Sequence, residues 1–218
     1  MQRKTFDQEL SNLQQKLLHM GHLVENALLK ALESLSNLDR ELARKIVDDD
    51  VKVNEKEDEI ETLALQLVAT QQPVAKDLRK IIAAIKIASS LERMADLSVD
   101  IAKVTIRIQE DKLLKPLIDI PKMAELVKEM LSNGIQSYIN ENVELAFGLA
   151  EIDDRVDKLY SKVLRDLLEI MTQKPETLSQ GMLLSFVARY IERIGDHATN
   201  IGESVIYLVK GKKPDLNL

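Results

Sequence analysis

The sequence predicts an all-α protein whose six helices form two pseudo-symmetric three-helix bundles. Apolar residues recur every three or four positions through most of the 218 residues, which is the spacing of one face of a helix. Glycine and proline number only 7 and 5, so turns are few and the elements are long. The pattern of residues 1–112 recurs in residues 113–218, which predicts an internal duplication with one domain in each half.

Three helices are predicted in the first half. The first follows from steps of three and four residues between apolar positions, at Leu10, Leu13, Leu17, Met20, Val24, Leu28 and Leu32. Asn37 or Asp39 suits the N-cap of a single second helix, which the Thr-Gln-Gln-Pro segment at 70–73 ends. A third helix is expected from about Val74 to Ile108.

Three further helices are predicted in the second half. Two prolines mark residues 115–121 as the connection between the halves, because proline disfavours a helix interior. Gly211 and Pro214 are expected to end the last helix. The fourth helix should end near Tyr138, the fifth should run from Glu141 to Met171, and the sixth from Glu176 to Val209.

Composition excludes several classes of protein. Aromatic residues make up 3% of the chain and tryptophan is absent, so the core must be aliphatic. The formal net charge of −6, without a Lys/Arg cluster, argues against nucleic-acid binding. The chain has no cysteine for disulfides or Cys-based zinc sites, and no apolar run approaches the roughly 20 residues of a membrane span. With no apolar signal segment at the N-terminus, we expect a cytoplasmic protein that does not insert into membranes.

The two halves align at nearly constant offsets. An offset of 103 pairs Met20 with Met123 and Asp50 with Asp153. An offset of 100 pairs Leu-Glu-Arg-Met-Ala-Asp at 91–96 with Ile-Glu-Arg-Ile-Gly-Asp at 191–196. The offset changes at the predicted loops, where insertions are tolerated, so the ordered matches indicate duplication of one three-helix unit.

An acidic series lies on the third predicted helix. Glu92, Asp96 and Asp100 are spaced i, i+4 and i+8, so they share one side of the helix. With about 100° of rotation per residue, Glu92 falls inside the apolar arc, Asp96 at its edge and Asp100 just beyond it. A carboxylate on a packing face is costly unless it is paired or bound to a cation. The series therefore predicts a positive group above it.

The other helices supply matching acidic residues. The sixth helix repeats the series as Glu192, Asp196 and Asn200, and the fifth carries Asp153 and Asp157, whose first-half counterparts are Asp50 and Asn54. If the helices of each half pack side by side, these motifs can converge into one metal site per half. Oxygen ligands suit Mg²⁺, Mn²⁺, Ca²⁺ or iron better than copper, and carboxylates also accept zinc. The predicted metal ligands are Asp50, Glu92, Asp96, Asp100, Asp153, Asp157, Glu192 and Asp196.

Small residues and one histidine add to this picture. Ala88, Ala95 and Ala102 are spaced by seven, as are Ala188, Gly195 and Gly202. This spacing predicts that the third and sixth helices meet closely across a pseudo-twofold axis. His197 stands next to Asp196 and could supply a nitrogen ligand in the second half only.

Two other kinds of protein are compatible with the same acidic motifs. In the first, the chain is a metal-free scaffold whose acidic motifs only form salt bridges, with Arg79, Arg93 or Lys103 as partners of Glu92. In the second, it is a metal-dependent hydrolase or a carboxylate-bridged di-iron enzyme. The di-iron fold needs Glu-x-x-His pairs, and none of the three histidines has a glutamate three residues before it. The chain also has no Gly-rich loop, Ser-His-Asp set or CxxC, so we do not expect an enzyme.

These features together resemble the PhoU family of bacterial phosphate-signalling proteins. The resemblance rests on duplicated three-helix units, each with Glu-Arg-x-x-Asp in its last helix and an Asp-x-x-x-Asp-like motif in its middle helix. It extends to the proline after each second helix and to Asp77-Leu78-Arg79.

The resemblance implies a function and a set of partners. Members of this family act as negative regulators of high-affinity phosphate uptake and of the phosphate-starvation response. They are thought to link the ATPase of the phosphate ABC transporter to a membrane sensor histidine kinase, and several are dimers. Some bind multinuclear metal clusters through their acidic motifs, which implies Zn, Fe, Mn or Mg here. Asn54 and Asn200 depart from the carboxylates expected at their positions.

Overall fold

The computed structural model describes residues 2–212 and 214–216, with side chains from residue 6 onward. Over these residues the chain is helical, and no strand occurs. A short 3₁₀-helix, Pro175–Thr177, leads into the last α-helix. The α-helices are α1 (Gln2–Asn37), α2 (Arg40–Asp49), α3 (Val51–Gln71), α4 (Ala75–Arg107), α5 (Asp119–Asn140), α6 (Val143–Gln173) and α7 (Leu178–Lys210).

The helices form the two predicted bundles. Helices α1 to α4 pack together as the first bundle, and α5 to α7 pack together as the second. The most extensive helix–helix contact joins α4 to α7, the last helix of each half. The predicted meeting of these two helices is therefore confirmed. The connection between the bundles comprises residues 108–118, and the division of the chain into domains at residue 112 stays a prediction.

Local signals in the sequence account for most helix ends. The Asp39 side chain caps α2 by accepting hydrogen bonds from the backbone N–H groups of Glu41 and Leu42. The Asn142 side chain caps α6 in the same way. Gly211 ends α7 with a φ of 73°, a left-handed conformation that glycine adopts without steric cost.

Two predicted boundaries were wrong. The single second helix is divided at Asp50 into α2 and α3, although the Asp50 backbone keeps helical angles. There the Val53 N–H donates to the Asp50 carbonyl at 2.9 Å, a tighter turn of the 3₁₀ type. The predicted connection at 115–121 is also too long, since α5 begins at Asp119 and places Pro121 in its first turn. Proline is tolerated there because the first N–H groups of a helix have no intrahelical partner.

The core is aliphatic, as the composition requires. Fully buried side chains include Leu13, Leu17, Ile60, Ile81 and Leu91. Among the described residues, no helix is both long enough and apolar enough to cross a membrane. Ile81 and Leu91 of α4, together with Ile191 and Ile194 of α7, belong to this core, and their burial holds the two helices that carry the acidic residues in place.

The glycines of the small-residue series do not face α4. A methyl group at Gly202 would lie 2.9 Å from the Ala146 carbonyl oxygen and 2.9 Å from Leu149, both on α6. Gly195 likewise faces Asp153 of α6. The glycines therefore allow α7 to approach α6 within the second bundle, rather than α4 across the axis.

We expect Gly202→Ala to lower the free energy of unfolding by about 1–3 kcal/mol, because a backbone carbonyl must move to admit the methyl group. The matched control is Gly148→Ala on α6, where a methyl group would meet nothing within 4 Å. That substitution should stabilise the protein by roughly 0.5–1 kcal/mol through helix propensity. Urea unfolding followed by circular dichroism measures both, and equal stability of the two variants would contradict this account.

Candidate metal centres

The first acidic cluster consists of Asp50, Glu92, Asp96 and Asp100, all predicted from sequence. Asp50 lies at the joint between α2 and α3, and the other three lie along one side of α4. Burial raises the pKa of the Asp50 carboxyl, and the charges of Asp96 and Asp100 raise it further. Burial and then the charge of Asp96 raise the pKa of Glu92. These mutual effects place the four carboxylates in one cluster.

The second acidic cluster consists of Asp153, Asp157, Glu192 and Asp196, from α6 and α7. Burial raises the pKa of Asp153 to about 7, helped by the charges of Asp157, Asp196 and Glu192. Burial and then the charge of Asp196 raise the pKa of Glu192 to about 7. Burial also raises the pKa of Asp196. This cluster is the more strongly perturbed, because Asp153 and Glu192 are each only 8% exposed.

Each cluster contains buried oxygen atoms without a hydrogen-bond donor. Among the described residues, none donates a hydrogen bond to Asp50 Oδ1 and Glu92 Oε2 in the first cluster or to Asp153 Oδ1 and Glu192 Oε2 in the second, although the Arg93 guanidinium forms an ion pair with Glu92 Oε2. Buried polar atoms are normally hydrogen-bonded, because burying one without a partner costs about 1–3 kcal/mol. Four such atoms at corresponding positions are a repeated feature of the fold, and their chemistry is that of ligands for a hard cation.

Gly195 makes room for the second cluster. A methyl group at this position would lie 2.8 Å from Asp153 Oδ1, one of the oxygens without a donor. The first-half counterpart at an offset of 100 is Ala95. The glycine therefore lets the Asp153 carboxylate lie directly against the backbone of α7.

The two clusters differ at positions that the sequence interpretation missed. Glu57 joins the first cluster, since its charge contributes to the raised pKa of Glu92. Its second-half counterpart at an offset of 103 is Tyr160, and Arg189 lies over that ring at 6.0 Å from the centroid. Glu57 is seven residues after Asp50, which is two helical turns, and this spacing was the available signal.

Basic residues touch both clusters. Arg93 lies between two members of the first cluster, with Nε 3.2 Å from Glu92 Oε2 and Nη1 3.3 Å from Asp96 Oδ2. Lys103 pairs with Asp100 at 3.0 Å. Arg189 pairs with Glu192 in the second cluster. Arg79 is not a partner, because its Nε donates to the Leu208 carbonyl at 3.0 Å.

The clusters are open arrangements rather than closed cages. Among the described residues, no three carboxylate or imidazole groups converge closely enough to hold one ion as they stand. His197, a possible nitrogen ligand by sequence, lines a different pocket, between α4 and α7. Burial lowers the pKa of its imidazole, and the nearby guanidinium groups of Arg193 and Arg93 lower it further.

Comparison with known proteins relates this arrangement to one family. The sequence matches the PhoU domain family twice, over residues 17–105 and 120–205. It is 38% identical over its full length to a protein of Clostridium acetobutylicum described as a phosphate-specific transport system accessory protein PhoU homolog, all of which is covered. It is 40% identical to a protein of the same description from Zymomonas mobilis, over 96% of this chain and 89% of that protein.

Solved structures agree with the sequence comparison. The chain superimposes on the crystal structure of PhoU from Pseudomonas aeruginosa with a TM-score of 0.89 and 33% identity, covering 95% of this chain and 100% of that one. The phosphate transport system regulatory protein PhoU from Streptococcus pneumoniae gives the same TM-score at 30% identity, over 96% and 99% of the two chains. Two matches to the family domain, relatives that align over 96–100% of this chain and a shared fold lead to one conclusion: the chain belongs to the PhoU family.

Proposed function

We propose that this chain is a negative regulator of high-affinity phosphate uptake and of the phosphate-starvation response. The names of its relatives, as accessory proteins of the phosphate-specific transport system, support a regulatory role in phosphate transport. The partners we propose are the ATPase of the phosphate ABC transporter and a phosphate-sensing histidine kinase. The protein would work in the cytoplasm as a homodimer, reaching the membrane through these partners.

The acidic clusters are the proposed metal sites. The observation that supports these sites is a set of four buried carboxylate oxygens, two in each half, that accept no hydrogen bond from a described residue. In the first half Asp50, Glu92, Asp96 and Asp100 would hold the ion, with Glu57 as an additional ligand in place of Asn54. In the second half Asp153, Asp157, Glu192 and Asp196 would hold it. A bound Mn²⁺, Fe, Zn²⁺ or Mg²⁺ would add positive charge to that of Arg93, Lys103 and Arg189, which does not balance the carboxylates.

The ion offers a physical mechanism for regulated docking. Without it, each cluster is a negative surface that repels acidic partners. With it, the negative charge of the surface is largely neutralised, and open coordination positions can bridge to carboxylates of a second protein. Carboxylates that repel each other also turn apart when no cation is present, so closure of a cluster around the ion would accompany binding.

Phosphate uptake in living cells tests the regulatory proposal. In cells that carry this chain as their PhoU protein, its deletion should leave phosphate uptake high when external phosphate is abundant, because repression is lost. A plasmid copy of the wild type should restore repression, whereas the quadruple variant Asp50→Asn/Glu92→Gln/Asp153→Asn/Glu192→Gln should restore it weakly. A Glu151→Gln copy is the control, because this exposed residue of α6 lies outside both clusters. Normal repression in the deletion strain would refute the assignment.

The metal-free scaffold is the second candidate, and the ion pairs of Arg93 and Arg189 favour it. Equilibrium dialysis with Mn²⁺, Fe²⁺ and Zn²⁺ distinguishes a metal-binding regulator from a metal-free scaffold. Wild type should retain ions that Asp96→Ala/Asp196→Ala does not. Equal and negligible retention by both proteins would leave the scaffold as the better account, with the family assignment unchanged.

A further inference from the structure

A pocket of opposite character lies beside the first acidic cluster, between α4 and α7. Its volume is about 300 Å³ and it opens to solvent. The described lining contains no carboxylate. It is made by Lys86, Ser89, Ser90 and Arg93 of α4 and by His197, Asn200 and Ser204 of α7.

The lining is rich in hydrogen-bond donors. Lys86 makes no ion pair with any described residue, and its Nζ lies 5.5 Å from the centroid of the Tyr207 ring. The Asn200 amide donates to the Asp196 carbonyl at 2.9 Å, which leaves its second N–H available. The Ser204 hydroxyl bonds the Asn200 carbonyl at 2.9 Å and so holds the floor of the pocket in place. Ammonium, guanidinium, hydroxyl and amide groups around a small space form a set that recognises an oxyanion.

The donor set is not a by-product of the internal duplication. At an offset of 100, the counterparts of Lys86 and Ser90 are Phe186 and Tyr190. Their rings stack with centroids 6.4 Å apart, so an aromatic pair replaces the basic and hydroxyl groups. Among the described residues, the acidic clusters occur in both halves, whereas the positions that match Lys86 and Ser90 in the second half carry aromatic rings. The chemistry of the pocket is therefore specific to this end of the α4–α7 contact.

We propose that this pocket binds inorganic phosphate. A volume of about 300 Å³ is at the lower limit of ligand pockets, which suits a small anion with a few waters better than a nucleotide. Lys86 attracts the anion as a point charge, Arg93 offers the guanidinium N–H groups that do not face Glu92 and Asp96, and Ser90 and Asn200 complete the contacts. The site deepens the proposed function, because it gives a phosphate regulator a place to sense its ligand on the contact between its two bundles.

Lys86 is the residue to vary first. Arg93 is shared with Glu92 and Asp96, at 3.2 and 3.3 Å, so changing it would alter the first acidic cluster as well. Lys86 is exposed, which makes Lys86→Gln compatible with folding. The matched control is Lys158→Gln, an exposed lysine in the groove formed by α1, α5 and α6, with the same change of net charge.

Isothermal titration of the purified, metal-free chain with inorganic phosphate provides the test. Wild type should show saturable binding of one phosphate per chain, Lys86→Gln should bind about tenfold more weakly, and Lys158→Gln should match wild type. Absence of saturable binding to wild type, or equal weakening in both variants, would overturn the proposal. A phosphoserine peptide that binds more tightly than free phosphate would assign the pocket to a phosphorylated partner instead. Any of these failures would leave the metal and partner proposals standing, since the titration contains neither.

Discussion

Added Mn²⁺ should raise the thermal unfolding midpoint of the metal-free protein, with both sites filled, by roughly 10–20 °C. A ligand that binds only the folded state, at a hundredfold above its dissociation constant, stabilises by about 2.7 kcal/mol per site. For a chain of this size each kcal/mol shifts the midpoint by about 2–4 °C. The contribution is large here because the ion also relieves the repulsion among the carboxylates of each cluster, including the half-buried Asp50 and the buried Asp153. Differential scanning fluorimetry after EDTA treatment and dialysis measures the shift.

Variants locate the effect. Asp153→Asn/Glu192→Gln should lose about half of the shift, since the first cluster is intact, and adding Asp50→Asn/Glu92→Gln should abolish the remainder. Glu151→Gln should show the full shift, because this residue is exposed and belongs to neither cluster. A shift that survives in the quadruple variant would mean that Mn²⁺ stabilises the protein from elsewhere. Repetition with Fe²⁺, Zn²⁺ and Mg²⁺ ranks the ions.

The regular part of the site could be predicted from sequence. Residues at i, i+4 and i+8 on one helix must share a side, so Glu92, Asp96 and Asp100 follow from helical geometry alone. The repeat at offsets of 100 and 103 then identifies the second set. The carboxylates of each set lie near one another because the helices that carry them are long and strongly periodic, and such helices are the elements that periodicity predicts best. Their role as metal ligands stays a prediction.

Features that depend on contacts between helices could not be predicted in this way. The break at Asp50 carries no proline or glycine signal, and its helical φ and ψ show that only the hydrogen-bond pattern changes. Glu57 sits in a charged run from Asp48 to Glu61, where its spacing of seven residues from Asp50 is a weak signal beside so many other carboxylates. The spacing of Gly195 and Gly202 predicts close contact of α7 with α4, whereas both glycines face α6. Spacing along a helix does not reveal which neighbouring helix its small residues face.

The metal-free protein should lose stability as pH rises from about 5 to 8. Asp153 and Glu192 have folded-state pKa values of about 7, against ordinary values of 3.8 and 4.5. Between these limits the folded chain holds protons that the unfolded chain has released, so the free energy of unfolding decreases with pH. The stabilisation is complete near pH 4 and is lost as pH passes 7. Each of the two groups loses about 1.4 kcal/mol per pH unit between pH 5 and 7, so a loss of roughly 5 kcal/mol is expected for the pair.

The difference in unfolding free energy between wild type and a variant that lacks both carboxylates isolates the contribution of Asp153 and Glu192. His197 has the opposite sign, because its lowered pKa means that the folded chain holds fewer protons than the unfolded one near pH 6. The lowered pKa of Asp119, which is paired with Lys162 and Lys122, acts only at more acidic pH. Urea unfolding is measured for wild type and for Asp153→Asn/Glu192→Gln at each pH. Because both proteins contain His197 and Asp119, the contributions of these residues cancel in the difference between their unfolding free energies. The variant should be the more stable protein at pH 8 and about equal to wild type at pH 5, and parallel profiles would refute the assignment.

A saturating cation should invert this profile. Metal binding requires deprotonated carboxylates, so protons compete with the ion on Asp153 and Glu192, and affinity rises with pH through the same window. Repulsion that destabilises the metal-free chain at pH 8 then becomes attraction for the ion. The free energy of unfolding with excess Mn²⁺ should therefore increase from pH 5 to 8, while without metal it decreases. The profiles of unfolding free energy against pH, measured with and without Mn²⁺ on one protein, distinguish a metal site from a salt-bridge network. A network of Arg and Asp/Glu side chains does not bind Mn²⁺, so the sign of its pH dependence stays the same when the ion is added.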